Sequence, residues 1–162
     1  MKSYYIKQKA FSIGDKYKVY DDNNNVKYYV KSRLFSINHV KHIYNDKDEL
    51  VITLRRKFFD ILPNYLIYDK DKKLIAIFKR KFSFTNKFVI EGPKEKYRID
   101  GNLFAYNFSI YENENLIGTV SKKFIQLVDS YNLEIFKDDD AEFFIALVIA
   151  FDNLYHNGGN NR

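Results

Sequence analysis

One unit recurs four times along this sequence and limits the folds that the chain can adopt. Residues 42–58 read HIYNDKDELVITLRRKF, and residues 66–82 read LIYDKDKKLIAIFKRKF. Looser copies cover residues 17–35 and 108–124. Each copy has an aromatic or β-branched run that ends in Tyr, then a polar turn, then a second run that ends in a basic cluster and Phe. This pattern predicts four β-hairpins.

Further strands are predicted outside the repeats. Runs rich in aromatic and β-branched residues cover 4–8, 87–91, 97–100 and 131–136. With 14 Tyr and 15 Phe but only 6 Gly, the chain has more material for half-buried strands than for glycine-rich phosphate loops. About a dozen strands are too many for one open, twisted sheet of this length. A mainly β fold, closed into an antiparallel barrel, is therefore predicted.

The C-terminal segment follows a different pattern. Asp139 and Glu142 have capping-box spacing, and Gly158 suits the residue after a helix, so a helix of about 17 residues is predicted between them. Residues 143–151 are apolar without interruption, which leaves no face for water. Nine residues rise only ~14 Å, whereas a bilayer core is ~30 Å thick. We therefore expect this helix to be buried inside the barrel rather than to span a membrane.

The charge distribution and the absence of cysteine limit the functions that this chain can have. Residues 1–100 hold 23 of the 27 basic residues but only 12 of the 21 acidic ones, an asymmetry typical of surfaces that meet phosphates or anionic membranes. The chain has no cysteine, which excludes disulfides and thiol nucleophiles. Lys2, Lys7 and Lys9 are not followed by the apolar stretch of a signal peptide. A cytoplasmic protein is therefore expected, and peripheral attachment to a membrane is a further option.

Several sequence motifs together resemble one family. The hairpins end in a basic cluster and an aromatic residue, residues 118–124 read GTVSKKF, and residues 143–156 read FFIALVIAFDNLYH. This combination resembles the LURP-one-related family, which belongs to the Tubby C-terminal-like group together with the phospholipid scramblases. The resemblance implies a single domain over residues 1–162, with about twelve strands closed around a hydrophobic C-terminal helix. It also implies phosphoinositide or other phospholipid membranes as partners.

The residues that catalysis would require are not grouped in the sequence. His39 and His42 are three residues apart, so on one strand they would point to opposite faces and could not share a metal. His156 falls in the last helical turn, where the helix dipole favours a cation. Neither a nucleophile elbow, an HExxH motif nor a phosphate-binding loop is present. No enzyme activity, catalytic residue, metal site or cofactor is predicted.

Basic residues near the end of each repeat form the candidate site. One basic residue stands two positions before each final Phe and shares its face of the strand, and further cations occupy the opposite face. The first set is Arg33, Arg56, Arg80 and Lys122, and the second is Arg55, Lys57, Lys79, Lys81 and Lys123. Aligned across hairpins, they would form a rim for anionic headgroups. Alternatively, they are strand ends whose long stems extend to solvent.

Two functions therefore remain open at this point. The first is a non-enzymatic domain that binds anionic phospholipid or phosphoinositide headgroups through the basic hairpin ends. The alternative is a protein-interaction or regulatory module with neither a lipid nor a catalytic role. Nucleic acid is a weaker candidate partner, because the chain has no helix-turn-helix, RRM or KH motif.

Overall fold

The chain folds into twelve strands and one helix. The computed structural model describes residues 1–8, 15–32, 39–57, 64–81, 87–102, 106–125, 128–137 and 140–156, and every structural statement below concerns these residues. The elements are β1 Lys2–Gln8, β2 Asp15–Tyr20, β3 Val26–Ser32, β4 Lys41–Asn45, β5 Leu50–Lys57, β6 Asn64–Asp69, β7 Leu74–Lys81, β8 Lys87–Glu91, β9 Tyr97–Asn102, β10 Asn107–Glu112, β11 Asn115–Ile125, β12 Val128–Ile135 and α1 Ala141–His156.

The strands form one antiparallel sheet that curls into a nearly closed barrel. Its order is β8-β7-β6-β5-β4-β3-β2-β1-β12-β11-β10-β9. The terminal strands β8 and β9 contact each other without a hydrogen-bonded ladder. The tight turns at 21–25, 46–49, 70–73, 92–96 and 113–114 gather at one end, here called the turn end. The opposite end is called the loop end. This architecture confirms the predicted mainly β barrel.

The hairpin turns show why polar residues recur at equivalent positions of the repeat. In three hairpins a side-chain Oδ1 oxygen accepts the backbone N–H groups two and four residues later, at 2.8–3.0 Å. The acceptors are Asp21, Asn45 and Asp69. Three residues after each acceptor the backbone φ is positive, at 60–63°. The short polar residues Asn24 and Asp48 tolerate this conformation better than Lys72 does. The polar turn residues therefore fix the turn geometry and the strand register.

The Tyr that ends the first strand of each repeat coincides with a β-bulge. The register shifts immediately before this residue in four hairpins. The tyrosines are Tyr20, Tyr44, Tyr68 and Tyr111. The residue before each one is fully buried, so the Tyr itself lies on the outer wall, where it is only half-buried. Each repeat therefore places one aromatic ring outside the barrel.

The helix α1 occupies the interior of the barrel. All nine residues from Phe143 to Phe151 are at most 2% exposed, so strands surround the helix on every face. Phe151 packs against Phe88, Tyr106 and Phe108 with ring centroids 5.2–5.6 Å apart. The prediction of an enclosed apolar helix is confirmed. The helix starts at the turn end and runs to the loop end, which brings Asp152 into contact with Tyr17 in β2 and Tyr131 in β12.

Some boundaries differ from the expectation. The strand β12 starts at Val128 rather than at residue 131. His39 precedes β4 with a φ of 40° and is exposed, so it does not share a strand with His42. Asp139 and Gly158, the predicted helix boundaries, lie outside the described residues. The described residues contain no helix that is both long enough and apolar enough to cross a bilayer.

Candidate anionic-ligand surface

The basic clusters of three repeats meet at the loop end. The strands β5, β7 and β11 run in the same direction because each is separated from the next by an odd number of antiparallel neighbours. Each therefore delivers its C-terminal basic residues to the same rim. The cations placed there are Arg55, Arg56, Lys57, Lys79, Arg80, Lys122 and Lys123. Arg33 lies outside the described residues, and the side chain of Lys81 is likewise not part of the described structure.

One set of these cations faces the barrel interior, as the strand period indicates. Arg56 is paired with Tyr65 across the strands, and Lys122 is paired with Tyr131. The Lys122 Nζ atom lies 4.2 Å from the Tyr106 ring centroid, so its charge interacts with the aromatic face. Both Arg56 and Lys122 are half-buried, whereas Arg80 is exposed. Arg56 and Lys122 therefore cover the core at the loop end, whereas Arg80 remains at the surface.

The other set points away from the barrel. Arg55, Lys57 and Lys123 are exposed. Lys79 is half-buried and forms an ion pair of 2.6 Å with Glu91. The cations best placed to meet a ligand in solvent are therefore Arg55, Lys57, Lys123 and Arg80.

A buried polar network lies just inside the loop end, and the sequence analysis did not find it. The Asp152 carboxylate is 1% exposed and accepts hydrogen bonds from the hydroxyls of Tyr17, at 2.5 Å, and Tyr131. The Asn153 amide donates to the Tyr17 hydroxyl at 3.0 Å and to the Ile149 carbonyl at 2.6 Å. This network fastens the last turns of α1 to β2 and β12.

Burial disfavours ionisation of two phenols in this region, Tyr17 and Tyr65. Desolvation, reinforced by the charge of Asp152, raises the pKa of Tyr17 well above its ordinary value of 10.0. Desolvation also raises the pKa of Tyr65 to about 12; the nearby Arg56 lowers it and Asp152 raises it. The protonated Tyr17 hydroxyl donates to the Asp152 carboxylate, and the raised pKa extends this arrangement to more alkaline pH.

The outer wall carries a second repeating arrangement. In four places a cation lies over the ring of the bulge tyrosine on the next strand, 4.6–6.0 Å from its centroid. The pairs are Lys7 with Tyr20, Lys31 with Tyr44, Arg55 with Tyr68, and Arg98 with Tyr111. The sequence separation between cation and tyrosine is the same in all four pairs, and the first three pairs recur at the interval of the repeat. The constant spacing between cation and tyrosine is visible in the sequence. Of these four cations, only Arg55 is among the predicted site residues.

The turn end has a different chemistry. A cavity of about 540 Å³ opens there between the barrel wall and the start of α1. Its lining includes Tyr4, Lys70, Lys94, Asp140 and Glu142. Lys94 forms an ion pair with Asp140, and burial raises the pKa of Glu142 while Lys70 opposes the shift. Because both signs of charge are interleaved, this cavity does not favour an anion.

The described residues contain no group of three His, Asp or Glu side chains that could hold a metal ion. His42, the one described histidine within a strand, has its Nδ1 atom 3.1 Å from Thr53 Oγ1 on the outer wall.

Comparisons with known proteins agree with this barrel. The LURP-one-related family profile matches residues 2–152. A Bacillus subtilis (strain 168) protein named "Uncharacterized protein YxjI" is 37% identical over 71 residues, which are 44% of this chain and 43% of that protein. The X-ray structure of an Arabidopsis thaliana protein superposes with a TM-score of 0.68 at 15% identity, over 94% of this chain and 91% of that one. The chain therefore belongs to the LURP-one-related family.

Proposed function

We propose that this protein is a non-enzymatic membrane-surface module that binds anionic phospholipid headgroups at the loop end of its barrel. One observation carries the proposal. Three basic clusters, distant in the sequence, finish at the same rim because β5, β7 and β11 run in the same direction. Of these cations, Arg55, Lys57, Arg80 and Lys123 are exposed.

The two ends of the barrel differ in charge in a way that supports this orientation. The described turns at the turn end mix acids with lysines, as in Asp46 and Lys47 or Lys70 and Asp71. Among the described residues, the exposed side chains that end β5, β7 and β11 at the loop end are all cationic. The exposed Asp100 in β9 forms an ion pair with Arg98. An anionic surface would therefore attract the loop end more strongly than the turn end.

The expected affinity is modest. A cation close to an acidic membrane contributes about 1 kcal/mol, so four exposed cations supply about 4 kcal/mol. That corresponds to a dissociation constant near 1 mM for one isolated module. Such binding is reversible and depends on salt, as expected for a peripheral protein.

Vesicle co-sedimentation of matched charge variants tests the proposal. The variant Arg55→Glu with Lys57→Glu reverses two exposed cations at the loop end. The control Lys70→Glu with Lys73→Glu reverses two exposed lysines at the turn end and makes the same change in net charge. We expect only the first variant to lose binding to phosphatidylserine or phosphoinositide vesicles. Equal losses in both variants, or wild-type protein that binds neither vesicle, would overturn the proposal.

A further inference from the structure

The outer wall of β1 to β6 presents a row of cation and tyrosine pairs, here called the cation–tyrosine row. Its members are Lys7 with Tyr20, Lys31 with Tyr44, and Arg55 with Tyr68. Two further rings, those of Tyr29 and Tyr5, continue the row. The Tyr29 ring stacks on Tyr44 with centroids 5.5 Å apart, and the Tyr5 ring centroid lies 5.5 Å from Lys123 Nζ. The folding core does not require this row, because its side chains point away from the interior.

Among the described residues, cations outnumber acidic side chains along the row. None of the described outward-facing side chains of β1, β3, β4 and residues 17–20 of β2 is acidic; they include Ser3, Lys18, Lys27 and His42 in addition to the row itself. Lys27 forms an ion pair with Asp46 in the adjacent turn. Lys31 lies 3.7 Å from Asp48 in the adjacent turn, but both side chains are exposed, so this pair is weak. Neither Lys7 nor Lys18 has an ion-pair partner among the described residues. The wall therefore complements a negatively charged surface.

The position of the rings favours a bilayer over a single-stranded nucleic acid. Bases stack on open aromatic faces, but here Lys7 and Lys31 lie over ring faces at 4.8 and 4.9 Å. Half-buried tyrosines beside lysines suit the headgroup region, where the ring meets apolar material and the hydroxyl stays hydrated.

The fourth pair provides an internal contrast. Arg98 lies 4.6 Å from the Tyr111 ring centroid on β9 and β10, in the same arrangement. Its guanidinium, however, contacts Asp100 at 3.0 Å and Glu114 at 3.2 Å. The repeat thus supplies one copy in which the cation contacts two carboxylates, and three copies in which the cation contacts at most one among the described residues.

We propose that the cation–tyrosine row lies against an anionic bilayer, with its tyrosines at headgroup level and its lysines contacting lipid phosphates. This inference rests on the proposed function and specifies which face of the barrel meets the membrane. The protein would contact lipid along its side as well as at the loop end, where Lys123 joins the two surfaces.

Tryptophan probes test the orientation. The chain has no tryptophan, so a single introduced indole reports only its own environment. The probe variant is Tyr20→Trp, and the matched control is Tyr111→Trp. With phosphatidylserine vesicles that carry brominated acyl chains, we expect blue-shifted and quenched emission for Tyr20→Trp and little change for Tyr111→Trp. In addition, Lys7→Glu with Lys31→Glu should weaken binding about tenfold or more, and Lys70→Glu with Lys73→Glu should not.

The outcomes separate the two proposals. If wild-type protein binds anionic vesicles but the two probes respond equally, the row is not the contact face, although the proposed function stands. If wild-type protein binds no anionic vesicle, both proposals fail. If Tyr20→Trp responds to single-stranded oligonucleotides and not to vesicles, the row is a nucleic-acid surface and the inference is overturned.

Discussion

Replacing Asp152 by alanine should loosen the last turns of the central helix from the barrel. The carboxylate accepts hydrogen bonds from two buried phenols, Tyr17 and Tyr131. A buried donor that loses its acceptor costs about 1–3 kcal/mol, so Asp152→Ala should lower the free energy of unfolding by about 4 kcal/mol. For a protein of this size that is a fall in melting temperature of about 8–16 °C.

A double-mutant cycle measured by urea unfolding distinguishes this mechanism from a simple packing loss. Tyr131→Phe alone should cost about 1.5–3 kcal/mol, because it removes a hydrogen bond to a charged acceptor. In the Asp152→Ala background the same change should be nearly neutral, since the phenol has already lost its acceptor. Effects of Asp152→Ala and Tyr131→Phe that add within about 0.5 kcal/mol would refute the reasoning.

Three further outcomes are expected from the described side chains. The folded-state pKa of Tyr65 is raised to about 12. The free energy of unfolding linked to its proton is therefore complete below pH 10 and is lost as pH rises toward 12. In Tyr65→Phe the free energy of unfolding should fall less steeply with pH over this range. Hydrogen bonds from Lys137 and Lys96 lower the pKa of Glu112 to about 2. An NMR titration should therefore find the Glu112 carboxylate still ionised at pH 3. A titration near its ordinary pKa of 4.5 would contradict the geometry. Leu147→Asp buries an unpaired carboxylate and should abolish cooperative folding. Leu147→Ala should still fold, with a free energy of unfolding lower by about 2–5 kcal/mol. Cooperative unfolding of Leu147→Asp would contradict the enclosed helix.

The predictable parts of the fold are those that a local sequence pattern determines. The hairpins follow from polar turn residues such as Asp21 and Asp69, whose side chains organise the backbone within four residues. The enclosed helix follows from residues 143–151, which offer no polar face. Both signals lie within a short stretch of the chain, so they can be found without knowing the order of the strands in the whole sheet.

The missed features depend on contacts between distant elements. Asp152 is separated from Tyr17 by 135 residues, and no local pattern shows that the two side chains meet inside the barrel. At the sequence level Asp152 only interrupts an apolar run. Similarly, the pairing of Lys7 with Tyr20 follows from a bulge and a strand register that periodicity alone does not specify. The predicted site therefore contains only basic residues close to the final Phe of each repeat.

Salt-dependent vesicle binding of the wild-type chain tests the central claim most directly. Co-sedimentation would compare pure phosphatidylcholine vesicles with vesicles that also contain phosphatidylserine, each at low and at high ionic strength. We expect binding only to the anionic vesicles and its loss at high salt, since exposed cations are screened there. Equal binding to both vesicle types, or none to either, would contradict the assignment of this barrel as a module for anionic membranes.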